Sequence, residues 1–151
     1  MDTIVAVGPA PTDAGCGGLT RTLMAAAHAV EAQLEAALEG AGMSLAKVMV
    51  LRHLVQAGEA LPLSQLAERS ACVRSNMTQL IDRLEADGLV RRVSDPNDRR
   101  SVRAALTRAG QRRHDQATAL LAAREAEIVG ALDAGERALL GELLARLTRG
   151  R

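Results

Sequence analysis

The chain contains no phenylalanine, tyrosine or tryptophan among its 151 residues. Its core must therefore be built from Leu, Val, Ile, Met and Ala, a composition that suits close-packed helices. The absence of aromatic rings also excludes a stacking platform for nucleobases or ring-shaped ligands. Apolar residues still make up 48% of the chain, which argues against a disordered chain and predicts one domain with its own core.

Long hydrophobic runs are absent as well, since no stretch approaches 18 uncharged apolar residues, and the chain is not expected to span a membrane. The start, MDTIVAVGPAPTDAGCGG, has an acid at position 2, no Lys or Arg and an apolar run of only four residues. These features do not fit a signal peptide, so a cytoplasmic location is expected. The two cysteines are then predicted to be free thiols.

The net charge of +1 conceals an uneven distribution. Residues 64–114 contain eleven Arg against six acidic residues, a net charge of +5, whereas residues 1–63 and 115–151 carry −3 and −1. Arginine segregated in this way favours an anionic partner for the middle of the chain. An arginine-rich surface that only faces water explains the charge equally well.

Hydrophobic spacing and turn residues predict a mainly α chain with the order α-α-β-α-α-β-β-α-α. Apolar residues at helical spacing from Leu19 to Leu38 predict the first helix, and Ser44 is expected to cap a second that ends at Gly58. Near the end of the chain, a helix capped by Thr107 is predicted to run to about Leu132. Asp133 then opens the last helix with a capping box.

Between these helices lies the pattern of a winged helix-turn-helix. A short helix, LSQLAERS, is followed by a turn and a longer helix, RSNMTQLIDRLEADG, and then by two period-two segments, LVRRVS and SVRAAL, joined by the turn DPND. The longer helix carries an apolar stripe made of Met77, Leu80, Ile81 and Leu84. In such a module the second helix enters the DNA major groove and the tip of the ribbon reaches the flanking backbone or minor groove.

The stretch from Leu63 to Gly110 resembles the multiple-antibiotic-resistance regulator (MarR) family. Its wing matches the family signature D-x-R-x5-L-T, with Asp98, Arg100 and then Leu106 and Thr107. The resemblance covers roughly residues 19–149 and implies a dimer of winged-helix subunits, usually a repressor, often released by small ligands or oxidation. Family ligand pockets commonly use aromatic residues, which this chain lacks.

The predicted domain organisation follows from the resemblance. Residues 1–18 are expected to form a flexible N-terminal arm, and residues 19–60 and 107–151 to supply the dimerisation helices. Residues 61–106 form the predicted winged helix-turn-helix lobe that binds DNA.

The predicted recognition helix presents polar residues opposite its apolar stripe, and the candidates for DNA contact are Arg74, Ser75, Asn76, Thr78, Gln79 and Arg83. Asn76, Gln79 and Arg83 lie three and four residues apart and so form one line. Asn and Gln read adenine and Arg reads guanine, whereas Ser75 and Thr78 are expected to bind phosphate. The alternative is a solvated helix face. Acidic residues Asp82 and Glu85 are expected to turn away from DNA or to pair with Arg83.

At the wing, the resemblance implies that Asp98 holds Arg100 and that Arg100 enters the minor groove. Arg99 and Arg103 are predicted to add phosphate contacts, while Asp95 is expected to shape the turn. The alternative is an intramolecular salt bridge that only stiffens the ribbon.

The two cysteines and three histidines are the remaining candidates for redox or metal chemistry. Cys16 lies three residues before the first predicted helix, where a helix N-terminus can make a thiol reactive, although the tyrosines of peroxide-sensing relatives are missing. Cys72 is expected to be a small buried residue. His28, His53 and His114 lack ligand spacing, so neither metal nor cofactor is predicted, and no catalytic motif indicates an enzyme.

The sequence therefore predicts a MarR-type dimeric DNA-binding regulator. It is expected to repress transcription by binding a pseudo-palindromic operator, and to be released from this operator by a small ligand or other signal. Its predicted partners are double-stranded DNA and a second copy of the chain, with a small-molecule effector left open. One alternative is a thiol- or peroxide-responsive version that uses Cys16. The other is a winged-helix protein-interaction module that does not bind DNA.

Overall fold

The computed structural model describes residues 16–70, 74–95 and 101–149, and the side chains of residues 16, 17 and 74 lie outside the description. The elements follow the predicted order, and the class is mainly α as predicted. In chain order they are α1 (Cys16–Glu39), α2 (Leu45–Ala57), β1 (Leu61–Pro62), α3 (Leu63–Arg69), α4 (Arg74–Ala86), β2 (Val90–Ser94), β3 (Val102–Leu106), α5 (Arg108–Val129) and α6 (Ala134–Thr148).

Two helix ends differ from the prediction. Helix α1 begins at Cys16, three residues before Leu19, because the helix continues through two glycines that add no apolar side chain to the helical spacing. Helix α5 ends at Val129 and does not reach Leu132. The reason is Gly130, whose N–H donates to the Glu127 carbonyl at 3.2 Å and so tightens the last turn.

The predicted helix caps are confirmed. The side chains of Ser44 and Thr107 each accept a hydrogen bond from the backbone N–H three residues later. Asp133 and Glu136 form the reciprocal capping box, with distances of 2.9 Å from the Glu136 N–H to Asp133 Oδ1 and 2.8 Å from the Asp133 N–H to Glu136 Oε2. These short-range bonds satisfy N–H groups that have no partner within the helix.

The three strands form an antiparallel sheet in the order β1-β3-β2, and the β2–β3 register runs from Val90 opposite Leu106 to Ser94 opposite Val102. Helices α2, α3 and α4 pack against the strands and α5 packs against α2, and together they bury aliphatic side chains, as the absence of aromatics requires. On α4 the predicted stripe is confirmed, because Met77, Ile81 and Leu84 are fully buried and Leu80 is partly buried. Burying the stripe directs the opposite face of α4 outward.

Contacts divide the chain into two units, Met1–Ala32 and Gln33–Arg151. In the first, residues 16–32 are helical and expose large apolar side chains, namely Leu19, Leu23, Met24 and Val30. The second contains the sheet and the core. Among the helices of the described ranges, none combines the length and apolarity that a bilayer crossing requires.

Candidate nucleic-acid interface

The outward face of α4 carries five of the six recognition-helix residues predicted to contact DNA. Ser75, Asn76, Thr78, Gln79 and Arg83 are all exposed. With 13 residues, α4 is about 20 Å long, enough to lie along a major groove. Arg74 is the first residue of α4, and its side chain lies outside the description.

Within the described residues, the side chains of Asn76, Gln79 and Arg83 make no hydrogen bond or ion pair, so their donors and acceptors face water. The described part of α4 has no exposed large apolar residue. An apolar docking face for another protein would need such residues. A polar line with free amide and guanidinium groups instead suits hydrogen bonding to base edges.

The two acidic residues of α4 are held by Arg92 of β2, and the expected alternative partner, Arg83, takes no part. Arg92 Nη2 lies 2.6 Å from Asp82 Oδ1, and Arg92 Nη1 lies 2.8 Å from Glu85 Oε2. The Arg92 backbone N–H also donates to Glu85 Oε1 at 2.7 Å. That backbone hydrogen bond and the one from the guanidinium lower the pKa of the Glu85 carboxyl. Because Arg92 pairs with both acids, the Arg83 guanidinium makes no ion pair with any residue that the structure describes.

The wing ribbon contains a second ion pair. Arg103 Nε donates to Asp95 Oδ2 at 2.7 Å, and Asp95 is only 7% exposed. The Asp95 N–H also donates to the Ser101 carbonyl at 3.1 Å, which extends the β2–β3 ladder by one step. Arg103 thus forms an ion pair within the ribbon, as in the alternative of an intramolecular salt bridge. Its contact with phosphate stays a prediction. The other predicted wing residues, Asp98, Arg99 and Arg100, lie outside the described residues.

Thr107 connects the end of α4 and the ribbon to the start of α5. Its backbone N–H donates to the Leu89 carbonyl at 3.1 Å, and its hydroxyl donates to the Gly88 carbonyl at 2.8 Å. The same hydroxyl accepts from the Gly110 N–H at 2.9 Å. The sequence indicated a helix cap here but not the contacts to residues 88 and 89, which depend on the tertiary fold.

The structure describes the three candidate histidines but not the thiols of the two cysteines. Cys16 is the first residue of α1, its side chain lies outside the description, and Cys72 lies outside the described residues altogether. No group of three or more His, Cys, Asp or Glu side chains placed to hold a metal occurs in the described ranges. His53 Nε2 is buried without a hydrogen-bond partner there, and burial, then Arg69 and Arg52, lower the pKa of His53.

Known proteins share sequence and fold with this chain. The model of the MarR family matches residues 43–102. The transcriptional regulator FarR of Neisseria gonorrhoeae is 28% identical over 139 residues, covering 92% of this chain and 94% of FarR.

Two solved structures extend the comparison. A MarR-like transcription regulator from Bacillus cereus is 28% identical with a TM-score of 0.80, and the match covers 87% of this chain and 94% of that one. A mutant of E. coli MarR complexed with operator DNA is 25% identical with a TM-score of 0.76, covering 85% of this chain and 92% of that one.

Proposed function

Since the chain belongs to the MarR family of winged-helix transcriptional regulators, we propose that it represses transcription as a homodimer bound to a pseudo-palindromic DNA operator. In this proposal α4 lies in the major groove and the β2–β3 ribbon reaches the adjacent minor groove. The similarity of this chain to an E. coli MarR mutant whose structure contains operator DNA supports operator binding by this chain. The proposal includes release by a small molecule or another signal, as the sequence resemblance implies.

The polar line on α4 is the observation that carries the proposal. Asn76, Gln79 and Arg83 project from one face of a helix whose other face is fixed in the core. Their side chains have the groups that recognise adenine and guanine in the major groove, and no described protein group competes for them. Asp82 and Glu85, which would repel phosphate, are both paired with Arg92, whose positive charge offsets one of their two negative charges.

Dimerisation is supported by the apolar surface of α6. None of its residues is buried, and five leucines are 40–64% exposed, namely Leu139, Leu140, Leu143, Leu144 and Leu147. An exposed apolar surface on this scale marks an interaction site, and a second copy of the chain would cover it. A two-fold dimer places two recognition helices about 34–36 Å apart, one helical turn of DNA or a multiple of it.

Selection of bound duplexes from a randomised pool tests the proposal. The purified chain is expected to enrich one pseudo-palindromic sequence, and a promoter that contains this sequence is expected to lose activity when the protein is supplied. Enrichment of no sequence over the starting pool would overturn the assignment as a sequence-specific regulator. Enrichment of a palindrome whose promoter gains activity would overturn repression alone.

A further inference from the structure

Arg92 joins the wing to the recognition helix through four polar contacts. Besides Asp82 and Glu85, its guanidinium contacts the Thr78 carbonyl, 3.4 Å from Nη2, and its backbone N–H is bound by Glu85. We propose that Arg92 is a positioning residue that fixes the orientation of α4 against the wing and so determines how well the protein discriminates its operator from other DNA. This inference rests on the proposed DNA-binding function.

Strand alternation explains why Arg92 reaches α4. Residues opposite one another in an antiparallel pair project to the same face, and Arg92 lies opposite Ala104, which is fully buried. Arg92 therefore projects from the face of β2 that packs on the core, beside α4. Its neighbour Arg91 projects from the other face, is exposed and makes no ion pair with a described residue.

The contacts restrain α4 along its length. Thr78, Asp82 and Glu85 lie at intervals of four and three residues, so they form one line over two turns of the helix. A planar guanidinium can bridge these groups at once, whereas a lysine ammonium is a single point charge. The line runs beside the one that carries the base-reading candidates, so a tilt or rotation of α4 would move both together.

The same contacts keep Arg92 away from DNA. Its Nη1 and Nη2 atoms are occupied by carboxylates, and its side chain is 28% exposed. Loss of Arg92 removes one positive charge and also leaves two carboxylates unpaired beside the DNA-facing line. Loss of Arg91 removes the same charge but leaves no carboxylate unpaired, which makes Arg91 the matched control.

The test measures affinity for the duplex selected by the wild type and for a random duplex of equal length, in wild type and three variants. Arg92→Met keeps the aliphatic stem and is expected to lower the ratio of the two affinities about tenfold, comparable to the loss of one bidentate base contact. Arg91→Met is expected to weaken binding to both duplexes equally and leave the ratio unchanged.

The double variant Asp82→Asn with Glu85→Gln separates positioning from charge. It removes two negative charges, so binding to the random duplex should strengthen, yet the ratio should fall because Arg92 loses its anchors. A ratio that stays at the wild-type value in this variant or in Arg92→Met overturns the inference while leaving the proposed function intact. If Arg92→Met is unfolded at the assay temperature, the double variant decides. A wild type that discriminates no duplex overturns both the inference and the proposed function.

Discussion

Gly110 in the first turn of α5 lies so close to Leu89 that a β-carbon at Gly110 would stand 2.0 Å from the Leu89 carbonyl oxygen. The same β-carbon would stand 2.8 Å from a methyl group of Leu106. That carbonyl also accepts the Thr107 N–H at 3.1 Å, so it cannot move away without breaking a hydrogen bond. The contact joins the DNA-binding elements to α5, and only glycine fits there.

Gly110→Ala is therefore expected to destabilise the protein by about 3 kcal/mol, near the upper end of overpacking substitutions, because the obstructing atom belongs to the backbone. Urea unfolding followed by circular dichroism measures the change. Gly40→Ala is the control, since a β-carbon at Gly40 would meet nothing within 4 Å. Equal stability of the two variants would show that α5 can move away from Leu89 at little cost in free energy.

Local signals in the sequence predicted most of the fold. The caps at Ser44, Thr107 and Asp133 depend on residues three positions apart, and the stripe on α4 depends on helical periodicity, so each can be recognised within a short window. The start of α1 and the end of α5 were displaced by about one turn, because the spacing of apolar residues does not fix where a helix begins or ends.

In the candidate site too, the sequence predicted the features that depend on local spacing and missed the contacts between separate elements. Exposure of Asn76, Gln79 and Arg83 followed from the position of the buried stripe. The partners of Asp82 and Glu85 did not, because Arg92 lies on a separate strand and reaches them only through the turn after α4. The pairing of Arg103 with Asp95 likewise depends on the strand register. Contacts between elements require the tertiary arrangement, which sequence spacing does not provide.

His53 is expected to make the stability of the protein depend on pH. Its pKa is lowered from 6.5 by burial and by the positive charges of Arg69 and Arg52, so between the folded pKa and 6.5 the unfolded chain binds more protons. The free energy of unfolding should therefore decrease as the pH falls below about 6.5 and level off below the folded pKa. His53→Gln should lack this component in urea unfolding between about pH 5 and 8.

Arg69→Gln provides a second check on the same effect. Removing this charge should raise the folded pKa of His53 towards 6.5, so the decrease in stability on acidification should become smaller but not vanish, because burial still acts. Identical pH dependence in wild type and His53→Gln would show that His53 does not contribute.

The leucines of α6 are expected to hold the proposed dimer together. Leu140 and Leu144 lie four residues apart on one face and are 44% and 40% exposed in the single chain. Replacing both with Glu keeps helix propensity but places charge where a partner would bury apolar surface. At micromolar concentration the sedimenting mass should fall from that of two chains to that of one. Glu142→Gln in the same helix should remain dimeric, and a wild type that sediments as a monomer would contradict this use of α6.

Gln79 and Arg100 are expected to affect DNA binding in different ways. Gln79→Ala removes a donor and an acceptor that read a base edge, so it should weaken operator binding by about 1–3 kcal/mol per half-site and change random-duplex binding little. Gln65→Ala makes the same chemical change at an exposed position of α3 and should leave the affinity ratio unchanged. Equal ratios for the Gln79 and Gln65 variants would show that Gln79 reads no base.

Arg100→Ala should instead weaken binding to every duplex, because the narrow minor groove attracts a cation through shape and potential and not through a base code. Fewer counterions are then released, so the dependence of affinity on salt should become flatter. Asp98→Ala should produce the same pattern in milder form, because the family resemblance implies that Asp98 holds the Arg100 guanidinium, which this substitution would leave in place. Operator and random-duplex affinities at several salt concentrations measure both effects. If Arg100→Ala binds both duplexes like the wild type at every salt concentration, the wing arginine stabilises the ribbon and makes no contact with DNA.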